Sequence, residues 1–437
     1  MLSGGVAIQA ILSAANFIVG LFLIRRSPEA QYGYYVLIAT AVLLSTTLQG
    51  SFIAPAMILR LTRADREGRA DLVGSLMRDQ NRLIPYVVGL AVAIGIVLGI
   101  TGRLSASLAV ILAAGTAAVV ATLRREFFRM VLFAYRCPND VLKSDFVYCV
   151  CLVVGAYLAT LTALPAAAAA LTVAVSSLVG GSLLSKALWR HEAWNPKAPT
   201  GMLRKIGPLG AWSSFGGGVH WLFSQGYNYV VAGALDVTAV AALAATRLLI
   251  MPVGLLSTGI GSLMLPTVSR WTNEHGAKKV FSRLVLFAAG LAATASCYLL
   301  VMWLARDWIF AHVLKRDFAH RDLLLSLWVV IALVQVIRDQ LLHFLVTRAQ
   351  FRLTASITLC SAVVSFAVSL VGMRQLGVTG ALLGLLTGEV LNVAGIVYFS
   401  VREARQAPED LPPQSGAAES PGGVADSPGV VSSINSP

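Results

Sequence analysis

Leu83-Ile84-Pro85-Tyr86-Val87-Val88-Gly89-Leu90-Ala91-Val92-Ala93-Ile94-Gly95-Ile96-Val97-Leu98-Gly99-Ile100-Thr101-Gly102 runs for twenty positions without a charged residue. Arg60, Arg63, Arg66, Arg69, Arg78 and Arg82 precede it, and Arg103 alone follows closely. About 20 apolar residues suffice to carry a helix across roughly 30 Å of hydrocarbon. Basic side chains are retained on the cytoplasmic side of a membrane. The stretch therefore reads as a transmembrane helix that starts on a basic, cytoplasmic face and ends on the other.

The same reading extends in both directions and gives apolar segments over 2–24, 34–58, 84–101, 104–123, 144–164, 166–186, 208–235, 239–268, 280–303, 323–346, 353–373 and 377–401. Of the 34 Lys and Arg, 24 fall on or within about three residues of the even-numbered connections and the C-terminal flank and 8 on the odd ones, while Arg247 and Arg338 lie deep inside segments. That bias predicts a multi-pass protein of a bacterial inner (plasma) membrane with both termini in the cytoplasm. Composition agrees: 57% of residues are hydrophobic and 13% charged, against about 25% charged in a soluble domain. The net charge of +13 is then a topology signal, and it argues against a nucleic-acid partner. Trp189, Trp194 and Trp271 on one side and Trp303 and Trp308 on the other mark the two interfaces. The five cysteines are scattered, and they read as packing residues of the membrane interior.

The chain also carries a duplication. Residues 3–55 lie on 214–266 without a gap, matching Ser3 with Ser214, Gly5 with Gly216, Gly50 with Gly261, Ser51 with Ser262 and Pro55 with Pro266. Arg125-Glu126 recurs as Arg338-Asp339. Units with an even number of helices run in the same direction, so their pseudo-twofold lies along the membrane normal. The expected fold is an all-α polytopic membrane protein of about 12 transmembrane helices in two six-helix lobes, 1–205 and 206–403. A disordered cytoplasmic tail over 404–437, rich in Pro, Gly, Ser and Ala, follows. In the repeat register Met1 pairs with Trp212, some five residues into segment seven. The cytoplasmic end of the first helix is thus expected to lack a few residues.

Three stretches carry a resemblance. The first is Leu23-Ile24-Arg25-Arg26-Ser27-Pro28-Glu29-Ala30-Gln31-Tyr32-Gly33-Tyr34. The second is Ala244-Ala245-Thr246-Arg247-Leu248-Leu249-Ile250-Met251-Pro252 with Leu265-Pro266-Thr267-Val268-Ser269-Arg270. The third is the arginine-bearing end of segments four and ten. Together they resemble the lipid-linked oligosaccharide (O-antigen type) flippases of the multidrug/oligosaccharidyl-lipid/polysaccharide exporter superfamily, over about 1–401. The resemblance implies alternating-access transport of a polyprenyl-pyrophosphate-linked oligosaccharide for cell-surface polysaccharide. It further implies the bilayer and the lipid-linked oligosaccharide as partners, with a polysaccharide polymerase and export machinery nearby.

Charges inside a membrane cost at least about 2.5–3.5 kcal/mol on insertion scales, so each is a functional candidate. Arg247, roughly 12 Å into segment eight, is expected either to contact substrate or to pair with Asp236 or Glu389. Arg125 shares a helix face with Arg129, and that face suits a pyrophosphate or, by snorkelling, the headgroups. Arg338 and Asp339 hold the equivalent place in the second lobe. Arg25 and Arg26, on the outer side, suit an anionic head group near the exit or the C-terminal dipole of helix one. His220 follows Gly216-Gly217-Gly218, where a gating bend is expected. Glu389 is a candidate coupling-ion site. Substrate-binding candidates are therefore Arg247, Arg25, Arg26, Arg125, Arg338 and His220, and coupling or ion-pair candidates are Glu389, Asp236 and Asp339.

No nucleophile-base pair, phosphate loop or metal spacing is present in the sequence pattern, so no enzyme activity, cofactor or metal is expected. The surplus of intramembrane cations favours an anionic cargo. A cation-coupled multidrug antiporter of the same superfamily is the nearest alternative, and it would want carboxylates buried in the first lobe. A membrane polysaccharide polymerase or ligase would have only the short loop 304–322 for its chemistry.

Overall fold

The computed structural model describes residues 2–61, 64–191, 194–274 and 276–406, and all its regular structure is helical. The first half comprises α1 (Leu2–Arg26), α2 (Glu29–Leu61), α3 (Arg66–Ile100), α4 (Ala106–Ala134), α5 (Pro138–Ala159) and α6 (Pro165–His191). The second comprises α7 (Met202–Gln225), α8 (Tyr227–Ala234), α9 (Val237–Leu248), α10 (Met251–Glu274), α11 (Ala277–Leu304), the single turn α12 (Arg306–Trp308), α13 (Arg321–Thr347), α14 (Phe351–Leu376) and α15 (Val378–Gln406). Among the described residues, ten helices are long and apolar enough to cross a membrane, and α9 with the first half of α10 forms an eleventh, bent span. The pair α7–α8, diluted by Gly, Ser and His, completes the twelve. The chain is an all-α polytopic membrane protein with two six-helix lobes. Both described chain ends lie on one face, called the basic face below.

Segments seven and eight are each broken, and neither break lies where the glycine triplet suggested. Gly216-Gly217-Gly218 sits inside continuous α7. The interruption falls at Gly226, where a Cβ would lie 2.5 Å from the Leu222 carbonyl and 2.9 Å from Phe366. In segment eight the axes of α9 and α10 diverge by 58° directly after Arg247-Leu248. Pro252 explains the restart, because proline is tolerated in the first turn of a helix, where its missing N–H has no partner to lose.

Other boundaries moved as well. The basic stretch before segment three is helical, so α3 has 35 residues and a length of about 52 Å. The expected loop 304–322 contains α12 and a π-helix over Ile309–Leu314. Ile309, Phe310 and Leu314 are buried against Val19, Leu23 and Ile24 of α1, so this segment wedges the second lobe against the first. Residues 404–406, assigned to the tail, continue α15. Residues 407–437 and Met1, on which the remaining tail and start expectations fall, lie outside the described residues.

Small side chains set the helix packing. In the α14–α15 seam a Cβ on Gly380 would lie 2.1 Å from the Gly372 backbone, and one on Gly384 would lie 2.1 Å from the Ser369 hydroxyl. Such close approach is how membrane helices associate without a hydrophobic driving force between them. Between lobes, α2 is fastened to α7 and α8 along its length. Ser214 donates to the Leu48 carbonyl at 3.1 Å, Trp221 Nε1 to Thr40 O at 3.2 Å and Tyr229 to Leu37 O at 2.8 Å. The pseudo-symmetric seam, α1 against α10, is sparse by comparison.

Candidate functional site

Between the lobes lies a cavity of about 620 Å³. Its walls come from α1, α2, α4, α5 and α6 on one side and from α8, α9 and α10 with the end of α7 on the other. Tyr32, Tyr35, Tyr148 and Tyr227 give it an aromatic lining, and Arg125, Glu126, Arg129 and Arg247 face it.

The first lobe's arginines are already neutralised. Arg125 is 2% exposed. It donates to Asp145 of α5 through Nη2 and to Glu126 through Nη1 at 2.7 Å, and its guanidinium lies 3.8 Å from the Tyr148 ring centroid. Arg129 donates to the same two carboxylates, at 3.0 Å to Asp145 and 3.2 Å to Glu126. Two cations and two anions make a balanced cluster, because a bare charge at this depth would be strongly destabilising. Snorkelling of Arg125 to the headgroups is thereby overturned. Sequence reasoning did not identify Asp145, whose partner lies on a different helix.

In the second lobe Arg338 donates to Glu389 of α15 at 2.5 Å and to Asp339 at 2.8 Å, and Gln335 donates to Glu389 at 2.8 Å. Glu389 is fully buried. It belongs to Arg338, and the alternative pairing of Glu389 with Arg247 is not formed. Asp236 is not Arg247's partner either. It caps α9, accepting from Ala239 N and from the Thr238 hydroxyl, both at 2.7 Å. Those two bonds, the Thr238 hydroxyl first, hold its carboxyl below the usual carboxylate range.

Arg247 stands apart. Through Nη1 it donates to Gln225 Oε1 at 2.8 Å and to the Tyr227 hydroxyl at 3.0 Å. Its guanidinium sits 5.4 Å from the Trp328 ring and 5.9 Å from the Tyr227 ring. Among the described residues it has no carboxylate partner, and both of its hydrogen bonds are made through Nη1. The bend between α9 and α10 delivers it to the cavity from the last turn of α9. Its partners Gln225 and Tyr227 flank the break at Gly226, so the two broken spans meet at this side chain.

The remaining candidates lie elsewhere. Arg25 and Arg26 occupy the last turn of α1 at the far face, Arg26 over the Tyr157 ring at 4.8 Å. His220 is an exposed residue of α7 and does not line the cavity. Cys137 packs, half-buried, against the core at the basic end of the first lobe. It caps α5 on the basic face, with its sulfur within 4.8 Å of ligand atoms of Asp140 and His191. Burial, with Asp140 adding to it, pushes its thiol above the ordinary range.

Far from the basic face the lobes are closed on each other. Arg316, just beyond the π-helix, donates to the Ile24 carbonyl at 3.2 Å and to the Ser27 carbonyl at 2.7 Å, both from the end of α1. Gly33 of α2 packs so tightly on Val237 that a Cβ would lie 2.1 Å from its carbonyl oxygen.

The two lobes thus flank a central cavity and meet each other at one face. No protein-family model matches the chain, and no curated protein matches its sequence. Solved structures do. An inward-facing multidrug resistance MATE family transporter of the MOP superfamily superimposes with a TM-score of 0.73 at 14% identity, covering 90% of this chain and 94% of that one. The lipid II flippase MurJ in an inward closed conformation gives 0.71 at 10% identity, covering 91% and 87%. An outward-facing MATE family transporter gives 0.62 at 14% identity, covering 93% and 94%. These likenesses establish a shared fold.

Proposed function

We propose that this protein is a flippase for a lipid-linked oligosaccharide, moving a polyprenyl-pyrophosphate-linked sugar unit across a bacterial inner membrane for cell-surface polysaccharide. The observation that carries the reading is Arg247, a cation without a carboxylate, held by neutral groups in the inter-lobe cavity. A pyrophosphate cannot cross hydrocarbon unpaired. An arginine fork with Nε and Nη2 free suits a phosphate bidentately, and the tyrosine-lined wall suits the faces of sugar rings. The sparse α1–α10 seam leaves room for the lipid chain to remain in the bilayer while the head group occupies the cavity.

In this reading 1–205 and 206–403 are the rocking lobes, and the basic face with both termini is cytoplasmic. The cavity loads from that side, while Arg316, Gly33 and the π-helix wedge keep the far face shut. Polymerase and export machinery would act on the product after release.

A second reading, the cation-coupled multidrug antiporter, gains one observation: Glu126 is a carboxylate in the cavity wall of the first lobe, with Asp145 buried behind it. Both are held by Arg125 and Arg129, which leaves them little freedom to exchange a proton or cation.

The test is Arg247→Ala in a strain lacking its own flippase. Expected are accumulation of lipid-linked sugar, loss of surface polysaccharide and normal protein level, with Arg247→Lys partly active because it keeps charge but loses the fork. Normal export by Arg247→Ala would refute the assignment. Proton-dependent drug efflux lost in Glu126→Gln would favour the antiporter.

A further inference from the structure

A second concave site lies away from the inter-lobe cavity. It is a groove of about 1010 Å³ on the flank of the second lobe, between α13 and α15. Val334 and Ile337 form one wall, Val390 and Val397 the other, and Arg402 and Arg405 stand at its basic-face end. The groove exists because α15 spends its glycine face on α14. Gly380, Gly384 and Gly388 all lie against that helix, with Cβ positions 2.1–2.6 Å from α14 atoms. The face bearing Val390, Ala394 and Tyr398 is left turned outward, and Tyr398 is 63% exposed.

We propose that this groove is a binding site for an anionic glycerophospholipid of the leaflet on the basic face. Length selects the occupant. From Val390 to Val401 the helix rises about 16 Å, close to half of the roughly 30 Å hydrocarbon thickness. The apolar part of the groove thus spans one leaflet and ends near the midplane, as an ordinary acyl chain does. Charge selects the head group. Arg402 and Arg405 are exposed, and among the described residues neither has an acidic partner, whereas the neighbouring Glu403 is engaged by Arg348 at 3.6 Å. Basic pockets between transmembrane helices at the cytoplasmic side are the recurring way proteins hold anionic lipids. The bland role of the two arginines, complementing the C-terminal dipole of α15, needs no groove and predicts no lipid preference.

Native mass spectrometry of the purified full-length protein, incubated with chain-matched phosphatidylglycerol and phosphatidylethanolamine, tests this without reference to transport. The wild type should retain phosphatidylglycerol preferentially. Each arginine near the surface should account for about a fivefold preference. Arg402→Gln with Arg405→Gln should bring the two lipids to near equality. Ala394→Trp, which fills the groove from a lipid-facing position, should lower retention of both, and Arg352→Gln, an exposed cation outside the groove, should change neither. Equal retention of both lipids by the wild type, or an unchanged preference in the double variant, overturns the proposal. So does lipid binding that emerges only when residues 407–437 are deleted, which would make the chain's own end the occupant. Displacement of phosphatidylglycerol by a polyprenyl phosphate at equal concentration would overturn the one-leaflet assignment.

Discussion

Arg316 should set how often the far face opens. It belongs to the second lobe, yet both of its acceptors are carbonyls at the end of α1 in the first. The Ile24 carbonyl belongs to the last turn of α1, where helix groups lack intrahelical partners, and Ser27 follows it directly, so the arginine both caps α1 and fastens the lobes. Hydrogen bonds to charged groups contribute about 1.5–3 kcal/mol each when buried. Arg316 is half-buried and water can replace it at both carbonyls, so about 1 kcal/mol per bond is the appropriate scale. Losing two bonds then shifts the closed-to-open ratio by about 2 kcal/mol, or about thirtyfold. Spin labels at Leu161→Cys in the first lobe and Leu376→Cys in the second, in a background without native cysteines, read that ratio as a distance distribution. Arg316→Ala should enlarge the long-distance population strongly, and Arg316→Lys should lie between. Arg321→Ala is the control, because Arg321 pairs with Asp307, Asp317 and Asp322 within its own lobe. An unchanged distribution in Arg316→Ala, with the protein folded, would show that the π-helix wedge and the Gly33–Val237 contact hold the far face closed without it.

Three further outcomes follow from the packing. Asp79→Ala removes a carboxylate that accepts from Gly201 N and Leu203 N at 2.9 Å, so the start of α7 should lose about 1–2 kcal/mol, read as a lower apparent melting temperature in detergent, with Asp79→Asn intermediate. Asp145→Asn leaves Arg125 and Arg129 sharing one carboxylate, a change of the kind that costs about 3–5 kcal/mol. Size-exclusion profiles should show a sharp loss of folded protein, partly recovered by adding Arg129→Gln. Gly380→Val must part α14 from α15 and should abolish the monodisperse peak, whereas Gly290→Ala, with nothing within 4 Å of the new methyl, should leave it intact.

Much of the architecture was legible because membrane insertion writes it in one dimension. Apolar run length, the bias of Lys and Arg and the internal duplication need no knowledge of what touches what, and the twelve segments and the two lobes come from them. What depends on contacts between helices was not legible. Asp145 is invisible as a partner until α4 and α5 are side by side, and Glu389 could be offered to Arg247 only because nothing in the pattern says that Arg338 is nearer. The break in segment eight does leave a signal in Pro252, whereas the glycine triplet of segment seven marks no break. The π-helical wedge had none, since a π-turn arises from local hydrogen-bond register rather than from composition.

The connection between the lobes behaves as a flexure rather than a loose joint. Asn195 donates from its backbone to Ala70 O at 3.1 Å and from its side chain to Asp71 at 2.7 Å, Arg78 grips the Ala198 carbonyl at 2.7 Å, and Arg82 holds the Thr200 hydroxyl at 3.0 Å. With Asp79 anchoring the first turn of α7 as well, the whole strap from Asn195 to Leu203 is riveted to α3 and travels with the first lobe. If the lobes rock as proposed, the strap cannot absorb the motion. The nearest compliant point is Pro208 inside α7, which lacks the N–H that would bond to the preceding turn, with Gly207 and Gly210 beside it. In the rocking reading, part of the relative motion of the lobes would become curvature of α7, which Ser214 and Trp221 hold to α2 beyond Pro208. A flexure of that kind would resist bending rather than swing freely between two postures.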